Sequence, residues 1–213
     1  MSRSVIAQLR DIVPLRPLTR HEALVIAERQ ATRLRVLLEW ESPALPEFLL
    51  AELPRIEVVR KSPWPASGAT QWVNGRWLIV LNGAEPATRQ RFSLAHELKH
   101  IIDHVDVDLI YAGIDKAERG DWIESVCDYF AGCLLMPRPL LKRAWITLPQ
   151  DLRTLAATFN VSQAAMNTRL NQTGLAEPQA RCARPSDAVI RDAFEGLRSG
   201  KRYHRPSRPL LIT

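Results

Sequence analysis

Arg91-Phe92-Ser93-Leu94-Ala95-His96-Glu97-Leu98-Lys99-His100-Ile101-Ile102-Asp103-His104 is the stretch around which the chain is organised. At 3.6 residues per turn, His96 and His100 lie one above the other on one helix face, roughly 6 Å apart along the axis. Two imidazoles so placed can hold one metal ion. Glu97 points too far round the helix to join them as a ligand, yet it can reach a water at the ion's open position and take its proton. That is the physical content of the HExxH pattern. The competing reading is an amphipathic helix whose histidines are hydrogen-bonded core residues. Metal-free core helices seldom stack two histidines with a glutamate beside them.

His104 is no third ligand on a straight helix. It stands roughly 12 Å from His96 along the axis, whereas ligands of one zinc ion lie about 3 to 4 Å apart. A second helix, over Asp121 to Pro137, offers the missing group. Glu124 and Asp128 share a face there, while Trp122, Ile123, Val126, Phe130, Cys133 and Leu134 make the rest apolar. Two carboxylates on so apolar a helix need a cation or a donor unless they face water. Glu124 is therefore expected at the metal. Asp128 is expected behind it, holding the far nitrogen of a ligating histidine, His96, in the correct tautomer.

The run from Arg91 to His104, followed by Ile123-Glu124-Ser125-Val126-Cys127-Asp128-Tyr129-Phe130-Ala131-Gly132-Cys133-Leu134-Leu135-Met136-Pro137, resembles the ImmA/IrrE metallopeptidases. Ile79-Val80-Leu81-Asn82 and Arg89-Gln90-Arg91 match as well, and the resemblance covers roughly Leu53 to Leu175. It implies a zincin fold, a divalent metal on His96, His100 and Glu124, and Glu97 as catalytic base. It also implies cleavage of a protein, typically a helix-turn-helix repressor or antitoxin encoded nearby. Lys99 replaces the glycine usual before the second histidine, and Val126 stands where many members carry a second acidic residue. A lysine at position 99 is expected either to face solvent or to narrow the approach to the metal.

At 213 residues, 46% hydrophobic and 24% charged, the composition is that of a globular protein large enough for one buried domain and a smaller appendage. There is no run of 18 or more apolar residues and no secretory apolar core near Met1, so a cytoplasmic location is expected. Cys127, Cys133 and Cys182 have no CxxC spacing and suggest neither a disulfide framework nor a thiolate zinc site. Cys127, close to Glu124 in sequence, fits apolar packing better than metal contact.

The expected organisation is an N-terminal arm and helix over 1–50, a zincin-like core over 51–149, a helix-turn-helix-like unit packed on it over 150–180, and a basic tail over 181–213. Residues 1–18 read as a loose arm or a short helix. Thr19 and Glu22 have the spacing of a capping box ahead of a helix to Trp40. His21, at its start, reads as a surface residue. Ile56 to Arg60 alternates as a strand, and Lys61 to Thr70 reads as a loop. Gln71 to Val73 and Arg76 to Leu81 form two strands about Asn74-Gly75, the dipeptide that best suits a type I′ turn. The fold class is thus α+β, with a small antiparallel sheet on the HExxH helix. Trp64 or Trp72 is a candidate for lining a groove in which substrate adds to the edge strand.

Pro86 is expected at the first turn of the metal helix, which ends near His104. His104 is expected to orient substrate or stabilise an oxyanion, or else simply to hydrogen-bond. Asp106 to Gly120 reads as a flexible link, with Tyr111 a candidate to polarise a carbonyl. Asp151 to Leu170 has the shape of a helix-turn-helix, with Asn160 in the turn and Ser162 as cap. A DNA-reading unit would place Gln163, Asn167 and Arg169 at bases or phosphates, although only Arg153 and Arg169 are basic across it. The tail carries eight basic residues against three acidic ones, five of the chain's net charge of +6. It reads as a solubilising segment or as an arm for nucleic acid or an acidic partner, with a helix over Val189 to Leu197.

These observations lead to the expectation of a zinc-dependent endopeptidase cleaving a repressor or antitoxin in a bacterial or mobile-element system, with Mn2+ or Fe2+ as the other ions such a donor set takes. The alternative is a non-proteolytic regulator or toxin–antitoxin component that binds a repressor or DNA, its metal site structural.

Overall fold

The computed structural model describes residues 3–175; the basic tail and its expected helix lie outside the described residues. Nine helices and three strands follow in the order α1 (Val5–Arg10), α2 (Arg20–Leu37), α3 (Phe48–Ala51), β1 (Ile56–Lys61), β2 (Gly68–Val73), β3 (Arg76–Asn82), α4 (Ala87–Asp103), α5 (Val107–Ile110), α6 (Lys116–Leu135), α7 (Arg138–Thr147), α8 (Leu152–Phe159) and α9 (Gln163–Thr173) among the described residues. None of these helices is long and apolar enough to cross a membrane.

The strands form one sheet in the order β1-β3-β2. β2 and β3 are an antiparallel hairpin whose turn residues, Asn74 and Gly75, both take positive φ (49° and 80°), as a type I′ turn requires. β1 runs parallel to β3, so the sheet is mixed and not the antiparallel one the sequence suggested. The chain reverses once after β1 and again at the hairpin, and two reversals leave β3 pointing the way β1 does. The expected 61–70 loop is also shorter, because β2 already begins at Gly68, opposite Leu81.

α4 lies between this sheet and α6, and α6 packs in turn on α2. The face of α4 carrying Leu94, Ala95, Leu98, Ile101 and Ile102 is buried, as the helical spacing of these residues demands. Pro86, with extended backbone, precedes the first turn, and His104 is the C-cap. α2 starts at the capping box, in which the Thr19 hydroxyl accepts from the Glu22 amide and the Glu22 carboxylate from the Thr19 amide. The N-terminal segment is the short helix of the two expected forms, not a loose arm. Leu9 is fully buried, and the Arg10 guanidinium donates to the carbonyls of Ile101 (2.7 Å) and Ile102 (3.0 Å), which satisfies the C-terminal end of α4.

The segment from Asp106 to Gly120 is likewise not a flexible link. It holds α5, the buried Ile110 and Tyr111, and the first turn of α6, capped by the Asp115 side chain. α8 ends at Asn160 in the left-handed region (φ 51°), and α9 begins one residue after its cap, Ser162. Leu155, Phe159, Met166 and Leu170 from this helix pair enter the same buried cluster as α2, α4 and α6.

Two buried arginines fasten the pair. Arg91 of α4 donates to the carbonyls of Leu45 (3.1 Å), Phe159 (2.8 Å) and Asn160. Arg169 of α9 donates to the Met136 carbonyl at 3.2 Å, pairs with Glu28 at 3.5 Å, and lies 5.3 Å from the Tyr129 ring centroid. It is 1% exposed, so it is a core tether and not the phosphate or base contact the sequence suggested. Gln163 and Asn167 do face outward.

Candidate metal centre

Helical stacking on α4 brings the Nε2 atoms of His96 and His100 to 3.1 Å from each other. Glu124 projects from the middle of α6 toward both, its Oε2 3.1 Å from His96 Nε2 and its Oε1 3.4 Å from His100 Nε2. Donors bound tetrahedrally at about 2.0 to 2.2 Å from one ion stand about 3.3 to 3.6 Å apart. The three side chains therefore have nearly the spacing a shared ion would impose, and two nitrogens with one carboxylate suit zinc among divalent metals. On the far side of His96, Nδ1 lies 2.8 Å from Asp128 Oδ1. With the proton on Nδ1 and donated to Asp128, the Nε2 lone pair is left facing His100 and Glu124.

Cys127 competes for the third position, since its sulfur and the two histidine nitrogens all lie within 4.8 Å of one another. Burial pushes the free thiol well above its ordinary range, whereas coordination to a divalent ion would deprotonate it; Glu124 brings its two carboxylate oxygens to 3.1 and 3.4 Å from the imidazole nitrogens. Cys133 is also buried.

Charge at the site is finely divided. Burial lowers the His96 pKa, but the hydrogen bond and charge of Asp128, with the charges of Glu124 and Glu97, outweigh it and leave His96 raised. Burial and the neighbouring His96 lower His100. Glu97 is 7% exposed, and burial, helped by the Glu124 charge and opposed by His96, raises its carboxyl to about 6. A carboxyl near neutrality can both accept and return a proton. Glu97 has a second close neighbour: a Cβ on Gly68, the first residue of β2, would lie 2.9 Å from Glu97 Oε1.

Lys99 is neither solvent-facing nor in the way of the metal. It is 1% exposed, with Nζ 2.6 Å from Asp103 Oδ1 and 2.8 Å from Gln30 Oε1. Tyr111 donates to Asp103 Oδ2 at 2.7 Å, which consumes the hydroxyl that was to polarise a carbonyl. Nothing in the sequence pattern flagged Gln30 or Asp103; the spacing of Lys99 and Asp103, four apart on one helix, was the available signal.

Beyond His100, a cleft of about 600 Å3 is lined by Trp72, Trp77, His104, Val107 and Ile123 and reaches Glu97 and Glu124. The His104 ring meets Trp77 edge-on, with centroids 4.8 Å apart. Trp64 is not among the residues that line it; the Lys61 ammonium lies 5.2 Å from its ring centroid. On the other side of Glu97, a second hollow is lined by Ser67, Arg89, Phe92, His96 and Asp128.

Residues 52–171 match the peptidase family described as the IrrE N-terminal-like domain, Peptidase_M78, and the class of protein is therefore that of this peptidase family. The chain belongs to this ImmA/IrrE family. Over 68 residues it is 40% identical to the radiation response metalloprotease IrrE of Deinococcus radiodurans, an alignment spanning 30% of this chain and 20% of that protein. A solved structure of a Mycobacterium tuberculosis transcriptional regulator shares the fold with TM-score 0.52 at 20% identity, over 84% of this chain and 55% of the other.

Proposed function

We propose that the chain is a metal-dependent endopeptidase of the HExxH, gluzincin-like type, in which His96, His100 and Glu124 hold a divalent ion, zinc in the first place, and Glu97 is the catalytic base. The observation that carries this reading is the convergence of three donor side chains from α4 and α6, their polar atoms 3.1 to 3.4 Å apart, with the Glu97 carboxyl beside them in the same cleft. The ion, when bound, supplies Lewis acidity that acidifies a water and polarises a peptide carbonyl.

The chain's own residues do the rest. Glu97 takes a proton from the attacking water and returns it to the leaving amine. Asp128 keeps His96 in the tautomer that presents Nε2. Among the described residues β2 pairs with β3 on one side only, and its residues from Gly68 to Trp72 line the cleft, so an extended substrate can add to its other edge. His104 orients the substrate in this reading, which its position on the cleft wall against Trp77 supports.

The substrate in this reading is a protein partner in the cytoplasm, a helix-turn-helix repressor or an antitoxin, and α8–α9 is a helix-turn-helix-like unit that packs on a zincin-like core. The names of the relatives, a radiation response protease and a transcriptional regulator, support a regulatory setting. Direct DNA reading by α8–α9 is disfavoured because burial of Arg169 leaves only Arg153 as an outward cation across the pair.

The test incubates zinc-loaded parent and Glu97→Gln protein with the product of the neighbouring gene. The parent is expected to cut one site; the variant is expected to hold the same zinc and cut nothing. A variant as fast as the parent removes Glu97 from the role of base. A parent that cuts nothing but binds a duplex steeply with salt favours the non-proteolytic regulator.

A further inference from the structure

A third cavity opens from the site toward α9. Its volume is about 230 Å3, and Phe92, Met136, Ala164 and Ala165 make its lining mainly apolar, with Arg89, Asp128 and Gln172 at polar positions in the wall. It shares Arg89, Phe92 and Asp128 with the hollow beside His96 and Glu97, so the two adjoin. Its position along the helices is fixed by spacing. Phe92 is one turn before His96 on α4, and Gly132 is one turn after Asp128 on α6, roughly 6 Å in each case. An extended peptide advances about 3.3 Å per residue, so this offset corresponds to one or two residues from the bond at the metal.

The cavity is smaller than the roughly 300 to 1,000 Å3 of small-molecule sites and suits one buried side chain. Its walls are held in place: Arg91 ties α4 to the end of α8, and Arg169 ties α9 to the carbonyl of Met136. Gly132 forms part of one wall, facing Arg169 and Gln172.

We propose that this cavity is a specificity subsite in which α9 reads a medium-to-large apolar side chain (Leu, Met or Phe) of the protein substrate, one or two residues from the scissile bond. The inference rests on the proteolytic reading for what the bond is, and on the cavity alone for what the neighbouring residue is. The helix that would contact bases in a DNA-binding unit here contributes Ala164, Ala165 and Thr168 to a peptide pocket.

The experiment captures phage-displayed random decapeptides on the zinc-loaded full-length Glu97→Gln protein and repeats the capture with Thr168→Trp added. Thr168 is exposed on α9, so the indole fills the cavity mouth without entering the core; Ala164→Phe, also exposed, is an independent second filling. Captured peptides are expected to concentrate Leu, Met or Phe at one position. Affinity of a selected peptide by fluorescence anisotropy is expected to fall roughly tenfold or more in both filled variants, the scale on which apolar pockets discriminate. Circular dichroism and zinc content are expected to be unchanged. Equal affinity for the filled and unfilled proteins, or no apolar preference among captured peptides, overturns the subsite. Peptides that bind with this dependence and are not cut by the parent overturn the proteolytic reading and leave the subsite standing; cutting by the parent with affinity indifferent to filling does the reverse.

Discussion

Replacing Glu97 by glutamine in metal-stripped protein is expected to stabilise the fold. Burial raises the Glu97 carboxyl from 4.5 to about 6 in the folded chain, and one pKa unit is about 1.36 kcal/mol. Holding the ionised carboxylate in the fold at neutral pH thus costs at most about 2 kcal/mol, and nearer 1 once solvent screening from the open side of the cleft is allowed for. Glutamine has the same shape without the charge. Because the folded value lies above the unfolded one, the cost is fully present above about pH 6 and vanishes below pH 4.5. Urea denaturation of the chelator-treated full chain, followed by circular dichroism, is expected to show the variant more stable by about 1 to 2 kcal/mol at pH near 7.5. The melting temperature rises by roughly 2 to 4 °C for each kcal/mol in a chain of this size, and the gap closes as pH falls through the window. Equal stability at neutral pH, or a gap that widens on acidification, would refute the argument that desolvation of this carboxyl dominates.

Three other outcomes follow from the same geometry. Glu124→Gln is expected to lose zinc on dialysis, Asp128→Asn to bind it roughly 10- to 100-fold more weakly, and Cys127→Ala to retain it; metal analysis showing the reverse for Glu124 and Cys127 would make the sulfur the third donor. Gly68→Ala is expected to fold normally, because the group it meets is the far end of the Glu97 side chain. Pushing that carboxylate aside is expected to cut proteolysis by roughly 100-fold, a typical cost of misplacement by about 1 Å, and parental activity would show that the contact does not set the base. Lys99→Met leaves the buried Asp103 carboxylate with Tyr111 but without its directly bonded cation. Equilibrium unfolding is expected to report a loss of about 3 to 5 kcal/mol, largely recovered when Asp103→Asn is added; a loss below about 1 kcal/mol would mean that water reaches the pair.

What the sequence determined by itself is the part governed by short-range geometry. A helix repeats every 3.6 residues, so the stacking of His96 on His100 and the common face of Glu124 and Asp128 are readable from spacing alone. The same holds for the Thr19 capping box and for the Asn74-Gly75 turn, whose backbone angles depend only on local sterics. Tertiary structure decided everything that depends on which surfaces meet. Lys99, Tyr111 and Arg169 look in sequence like solvent-facing or substrate-facing groups, yet each is buried because a partner distant along the chain or on another helix, such as Gln30 or Glu28, supplies its hydrogen bond. The direction of β1 against β3 follows from two chain reversals rather than from any residue in either strand. The cavity between α4, α6 and α9 exists only because Arg91 and Arg169 hold a C-terminal helix pair against the metal helix, a contact between segments far apart in sequence that no local pattern encodes.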